Sequence, residues 1–301
     1  MAERAWRGTS HGGGLGTALV ALAARLGGRD MCYFFVLPPA LWFWLRDRAA
    51  RRAIFDYWRR LHPDQGAWRA WLRVPLHFWI FARGLADRML IAVAPGSVRQ
   101  KQQGLENISG IQRGRGIILL SAHIGIFELS ARWLATQLPA DAPRLNLVML
   151  DAEDPRVQAH IDRTMGARPY SVIDLRDPLT ASLGIAAALG RGEICCMLGD
   201  RTAGSITGTR QVNFLARQAR LPVGPFIAAS ASRALLVPCF CHRVGWSTWL
   251  CEADPAWEID LGPRAGREER LQAVMQRWAD RLESLVRRSP YNWNNYFDFW
   301  A

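Results

Sequence analysis

The sequence predicts an α/β protein: a mixed, largely parallel sheet flanked by helices, preceded by an N-terminal helical region. Three observations predict it. From about residue 105, short apolar runs alternate with amphipathic stretches, which is the texture of a parallel sheet with helical crossovers. Before that point the apolar residues recur at helical spacing. The charge also divides the chain: residues 1–100 hold 15 Arg and 6 Asp/Glu, a net of +9 out of +12 for all 301 residues. We therefore divide the chain into a helical region, 1–100, and an α/β domain, 101–301.

The first region is read from its pattern. Residues Leu15–Leu26 are too short for a spanning segment and end in Gly-Gly-Arg-Asp, so a secretory leader is not expected. The run "MCYFFVLPPALWFWL" (31–45) carries Pro38-Pro39 and falls short of the ~20 residues that span a bilayer. In 46–62, Ile54, Tyr57, Trp58 and Leu61 form one stripe while arginines cover the other faces. Asp64 is the expected N-cap of the next helix. That helix carries Trp68, Trp71, Leu72, Pro75, Leu76 and Trp79 on one stripe, with a kink expected at Pro75. Seven of the 14 tryptophans lie before residue 100, mixed with arginine. Basic, tryptophan-rich amphipathic helices suit a membrane interface. The same stripes also suit helices docked on a core. Nucleic acid is not expected as a partner, because the aromatics lie in apolar helical stripes rather than on exposed strands.

The α/β part follows in order. "GIILLSA" (116–122) is a buried strand, followed by a helix through about Leu138. "RLNLVML" (144–150) is a strand, with a helix over about 155–165. "PYSVIDL" (169–175) is a short strand. "PLTASLGIAAALGRG" (178–192) is a helix closed by glycine, and "EICCML" (193–198) is a strand. "RQVNFLA" (210–216) reads as an edge strand, and "GPFIAASASRA" (224–234) as a helix. "LLVPCFCHRV" (235–244), "WSTWLCEA" (246–253) and "AWEID" (256–260) are strands. A long helix fills 266–288. The six cysteines form no Cys-x-x-Cys pair, and reduced thiols are the simplest expectation. Cys239, Cys241 and His242 lie close in sequence, yet no metal site is assigned to them.

In open α/β sheets, reactive groups gather beyond the carboxyl ends of the strands. Two polar clusters fall there. Ser121-Ala122-His123-Ile124-Gly125 follows the first strand of the domain. Gly199-Asp200-Arg201 follows "EICCML" and leads into "TAGSITGT". His123 stands near a helix N-terminus whose free amides favour negative charge. Gly125 gives close access to the backbone. Glu128, five residues after His123, is placed to hold the second imidazole nitrogen and stabilise imidazolium. A base without its own nucleophile suits activation of a substrate hydroxyl or amine. The alternative is a structural histidine beside a carboxylate that favours the helix dipole.

His-x4-Glu straight after an apolar strand resembles the His-x4-Asp/Glu signature of the glycerolipid and lysophospholipid acyltransferases. "ALGRGEICCMLGDR" (188–201) and "VNFLARQARLPVGPFIAAS" (212–230) are similar to segments of their bacterial lipid A biosynthesis branch. "YNWNNYFDFW" (291–300), "W-R-G" (6–8) and "DYWRRL" (56–61) resemble a sub-branch of acyltransferases found in biosynthetic clusters. The sequence departs from the common pattern at Ile126-Phe127, where Asn-Trp is usual, and at Ala216, where glycine is usual. Met149-Leu150-Asp151 replaces an aromatic-Arg-Pro run.

The resemblance implies transfer of an acyl group from acyl carrier protein or acyl-CoA to a hydroxyl of a membrane lipid or glycolipid. His123 is then the general base and Glu128 its orienting partner. Gly125, Asp200 and Arg201 line the same cleft, and Arg176 is a further polar candidate for substrate binding. The tail aromatics are read as a cap on the core. No cofactor or metal is implied, because a thioester is already activated. The expected location is the cytoplasmic face of a bacterial inner membrane, peripheral or monotopic. The alternatives are a lipid-directed hydrolase or thioesterase on the same site, and a non-catalytic basic membrane-binding protein.

Overall fold

The computed structural model describes residues 13–109, 114–139, 142–150, 166, 168–201 and 208–300. Four helices come first. α1 (Gly13–Phe35) bends at Gly28, which takes a φ of +65° that glycine tolerates. α2 (Leu37–Arg46) begins with Pro38 in its first turn. The apolar run 31–45 is therefore shared by two helices. No described helix is long and apolar enough to cross a membrane. α3 (Arg48–Leu61) is capped by Asp47, whose side chain accepts from the Ala50 amide at 2.9 Å. It buries Ile54, Tyr57, Trp58 and Leu61, the stripe the spacing predicts.

α4 (Ala67–Val93) has Gly66 rather than the expected Asp64 at its N-cap, and Pro75 lies inside the helix. α3 and α4 share one core with the α/β part, contributing Trp58, Val74 and Phe78 beside Ile118 and Leu120. A second junction is polar. Buried Asp87 of α4 accepts from Tyr33 Oη and Trp249 Nε1, each at 2.6 Å, and pairs with Arg243. A buried carboxylate needs such partners to stay charged. Here they tie α1 and α4 to two strands of the sheet.

The sheet contains β1 (Arg99–Gln103), β2 (Ile117–Ser121), β3 (Leu145–Met149), β4 (Ser171–Asp174), β5 (Ile194–Leu198), β8 (Leu235–Arg243), β9 (Thr248–Ala253) and the short β10 (Trp257–Glu258). Its order is β1-β9-β8-β2-β5-β3-β4, with β10 also on β8. Every pair is parallel except β8–β9 and β8–β10. β2 lies at the centre and is buried throughout. Its residues alternate: Ile118 and Leu120 enter the core with α3 and α4, while Ile117 and Leu119 face Ala131 and Leu134 of α6 (Phe127–Gln137). The other helices are α5 (Glu106–Ser109), α7 (Pro178–Gly190), α8 (Gly224–Ser232) and α9 (Arg267–Arg288). The helix expected over 155–165 lies outside the described residues.

Three strand expectations change. β1 was hidden because its residues, Arg-Gln-Lys-Gln-Gln, are polar and mostly exposed on an edge. The expected edge strand at 210–216 is instead β6 (Thr209–Phe214), which pairs only with β7 (Arg217–Pro222) in a separate hairpin. Leu215 and Ala216 form its two-residue turn with φ of 51° and 59°. The last expected strand, 256–260, shrinks to Trp257–Glu258. The cysteines also differ from expectation. Cys241 and Cys251 face each other across β8 and β9, Cα atoms 4.1 Å apart, and form a disulfide. Cys32, Cys195, Cys196 and Cys239 remain thiols.

Candidate active site

The site is built by strand register. β2 and β5 are parallel neighbours with Ser121 opposite Leu198. Two residues further along each strand stand His123 and Asp200. The Gly199 amide donates to the Ser121 carbonyl at 2.8 Å, carrying the pairing past the strand ends. Two clusters 77 residues apart in sequence thus meet at the carboxyl edge of the sheet.

His123 and Asp200 make a double contact. The His123 amide donates to Asp200 Oδ2 at 3.0 Å, and Nδ1 lies 2.8 Å from Asp200 Oδ1. A carboxylate only accepts, so the imidazole carries its hydrogen on Nδ1. Nε2 then offers its lone pair, and Arg201 Nε donates to it at 3.0 Å. The Arg201 guanidinium also lies over the Phe297 ring, 5.2 Å from its centre.

Burial pushes the His123 pKa down from 6.5; Asp200 opposes that and Arg201 adds to it. The net direction favours the neutral base near pH 7. Burial alone raises the Asp200 carboxyl, but the His123 charge and hydrogen bonds, with Arg201, outweigh it and bring it to about 2. Burial lowers the Arg201 pKa, against the pull of Asp200.

The loop after His123 is pinned by the C-terminal segment. The Gly125 amide donates to the Asn292 carbonyl at 2.8 Å, and the Asn294 amide to the His123 carbonyl at 2.8 Å. Asn294 Nδ2 donates to the Gly125 carbonyl at 2.7 Å. Gly125 takes a φ of +64°, and a Cβ there meets the Cys241 carbonyl oxygen at 2.1 Å and the Trp249 ring at 2.8 Å. Glycine is thus required by close backbone packing, and its N–H is already used. Trp293 Nε1 donates to Asp200 Oδ2 at 3.2 Å.

Of the residues expected from sequence, His123, Gly125, Asp200 and Arg201 come together. Glu128 lies in the first turn of α6, and its side chain falls outside the described residues. Nδ1 of His123 is held by Asp200. Arg176 is not brought to the group. It follows β4 at the far edge of the sheet, is mostly exposed, and pairs with Asp174. Residues 202–207 of the loop "TAGSITGT" lie outside the described residues. Sequence reasoning missed Trp293 and Asn294. Their signal was the tail motif itself, which was read as core.

An apolar cavity adjoins the site on the α6 side of the sheet. It takes in about 520 Å³, open mouth included, between Leu119, Ser121, Phe127, Leu134, Cys239 and Ala253. Ser121 links it to His123, two residues away.

No curated protein matches the chain. The family model for bacterial lipid A biosynthesis acyltransferases matches residues 82–297, which includes the His123 loop, Asp200-Arg201 and most of the tail. The chain belongs to that family and is an acyltransferase.

Proposed function

We propose that His123 is the general base of an acyl transfer from the thioester of acyl carrier protein, or of coenzyme A, to a hydroxyl of a membrane lipid or glycolipid. Nε2 takes the hydroxyl proton as the oxygen attacks the thioester carbonyl. The new C–O bond forms, the C–S bond breaks, and the departing thiolate recovers the proton from the imidazolium. Such a base contributes ~10²–10⁴-fold to the rate. The observation that carries this reading is the fixed tautomer: Asp200 holds the hydrogen on Nδ1, which leaves Nε2 as the acceptor.

Asp200, rather than Glu128, is the orienting carboxylate in this reading. Arg201 covers Nε2 in the free enzyme and swings onto the carbonyl oxygen when the donor binds, freeing the base and stabilising the oxyanion. The apolar cavity receives the acyl chain, at ~0.8 kcal/mol per buried methylene. Arg176 has no role in this account.

The site works at a membrane surface, at the cytoplasmic face of the bacterial inner membrane. Phe34, Leu45, Trp42, Trp68 and Leu72 of the first four helices are 69%, 65%, 54%, 62% and 66% exposed. Arg46 lies over Trp42 and Arg69 over Trp68, at 5.6 and 5.3 Å. Arginine interleaved with exposed aromatics fits an interfacial layer.

The test is lipid mass spectrometry of cells carrying the parent or His123→Ala. The expected result is a lipid or glycolipid lacking one acyl group in the variant. An unchanged lipid profile overturns the proposal. Purified protein that releases only free fatty acid from the thioester, whether or not lipid is present, overturns the transfer step.

A further inference from the structure

Trp293 is more than a filler of the core. It is 1% exposed, and its ring is fixed by Tyr57, Phe214 and Phe299, whose ring centres lie 5.2, 5.3 and 4.9 Å away. Its backbone forms an antiparallel bridge with Ile124, the residue after His123. Its carbonyl accepts a hydrogen bond from Nε2 of buried His77 at 3.1 Å. These contacts leave the indole no freedom to turn. Its one polar atom, Nε1, points at Asp200 Oδ2.

We propose that Trp293 is a positioning residue for the His123–Asp200 pair, its indole N–H setting both the rotation of the Asp200 carboxylate and its strength as an acceptor. This rests on the reading of His123 as the base. Asp200 divides its oxygens: Oδ1 serves His123 Nδ1, while Oδ2 takes the His123 amide and the indole. With Oδ2 held twice, Oδ1 stays directed at His123 Nδ1. The indole also draws off part of the negative charge that faces the ring.

The charged and titratable groups involved are few. Among the described residues, Asp200 and Arg201 face His123; His123 and Arg201 face Asp200. His77 and Tyr57 touch Trp293 on its other sides. Removing the indole N–H leaves Asp200 less satisfied, so it holds a proton on His123 more strongly. The His123 pKa then rises, and with it the acid limb of the pH–rate profile. A tryptophan that only fills space moves neither.

The experiment uses Trp293→Phe in the full chain, beside His123→Ala. Rates are measured with palmitoyl acyl carrier protein and palmitoyl-CoA against total lipid extract from the native membrane. The His123 pKa is read by ¹⁵N NMR of the labelled imidazole, assigned by its loss in His123→Ala. The expected result for Trp293→Phe is a roughly tenfold lower kcat with KM little changed, and a His123 pKa higher by ~0.5 unit. Should this variant fail to fold, site-specific benzothienylalanine at 293 removes the N–H and keeps the ring shape, with the same result expected. Unchanged rate and unchanged His123 pKa, with His123→Ala inactive, overturn the role of Trp293 and leave the base reading standing. A lower melting temperature with an unmoved His123 pKa also overturns it. An active His123→Ala overturns the base reading itself.

Discussion

His77 makes the folded protein sensitive to mild acid. It is fully buried in α4 among Tyr57, Trp58, Tyr291 and Tyr296. Nε2 donates to the Trp293 carbonyl, and Nδ1 has no partner among the described residues. Burial depresses its pKa from 6.5 to about 4, only partly offset by that hydrogen bond. The folded value is the lower one, so the unfolded chain takes the proton first as the pH falls. The stability is fully present above pH 6.5 and is lost as the pH drops towards 4. Each pH unit in that window is worth ~1.4 kcal/mol, so the drop from pH 7 to 4.5 costs roughly 2 kcal/mol from this one group. His77→Gln keeps an amide donor and cannot titrate. Asp200 and Glu252, each brought to about 2, begin to lose their contribution as the pH falls through their ordinary values of 3.8 and 4.5, and the variant retains both. His123 adds a loss in the same direction, and the variant retains it. Urea unfolding at pH 7 and 4.5 therefore isolates His77: the parent is expected to lose roughly 2 kcal/mol more than the variant. Equal losses in the two proteins refute the reasoning.

Other outcomes follow from single contacts. Ala216→Gly relieves a left-handed residue in the β6–β7 turn, at φ 59°, and is expected to raise the unfolding free energy measured in urea by about 0.5–1 kcal/mol after the entropic cost of glycine; a lower unfolding free energy contradicts this. Replacing Phe34, Trp42 and Leu45 together by serine is expected to weaken binding to phosphatidylethanolamine–phosphatidylglycerol vesicles at least tenfold. Unchanged vesicle binding removes the interfacial role of those helices. Asp200→Asn leaves the shape of the site intact but lets the imidazole take the other tautomer, and acyl transfer is expected to fall by ~10²–10⁴-fold; activity within a few-fold of the parent excludes Asp200 as the orienting group.

The strand-end rule pointed from sequence to both clusters that the fold brings together. His123 and Asp200-Arg201 each follow a short apolar run that proves to be a central strand. Their pairing was not legible. Sequence distance favoured Glu128, five residues away, over Asp200, 77 residues away. Only the parallel register, Ser121 opposite Leu198, makes the distant residue the neighbour. The tail was half legible. Trp293 and Phe299 do cap the core, as their apolar character predicts. The backbone bonds of Asn292 and Asn294 to the His123 loop leave no local pattern, because any residue type supplies the same amides and carbonyls. β1 was hidden for a related reason: an exposed edge strand needs no apolar alternation, while β7 offers only Ala219 and Leu221 as buried apolar positions, too short a pattern to mark a strand. The stripe of α3, by contrast, is written in its spacing, and the buried residues are those the pattern named.

The central claim is that His123 Nε2 removes the proton of the acceptor hydroxyl. Its most direct test is the single-turnover rate of acyl transfer from a thioester donor to native membrane lipid, with parent protein and His123→Ala compared at equal donor occupancy. A fall of at least ~10²-fold in the acylated lipid formed is expected, with donor binding retained. A variant that forms the same product within threefold of the parent rate contradicts it.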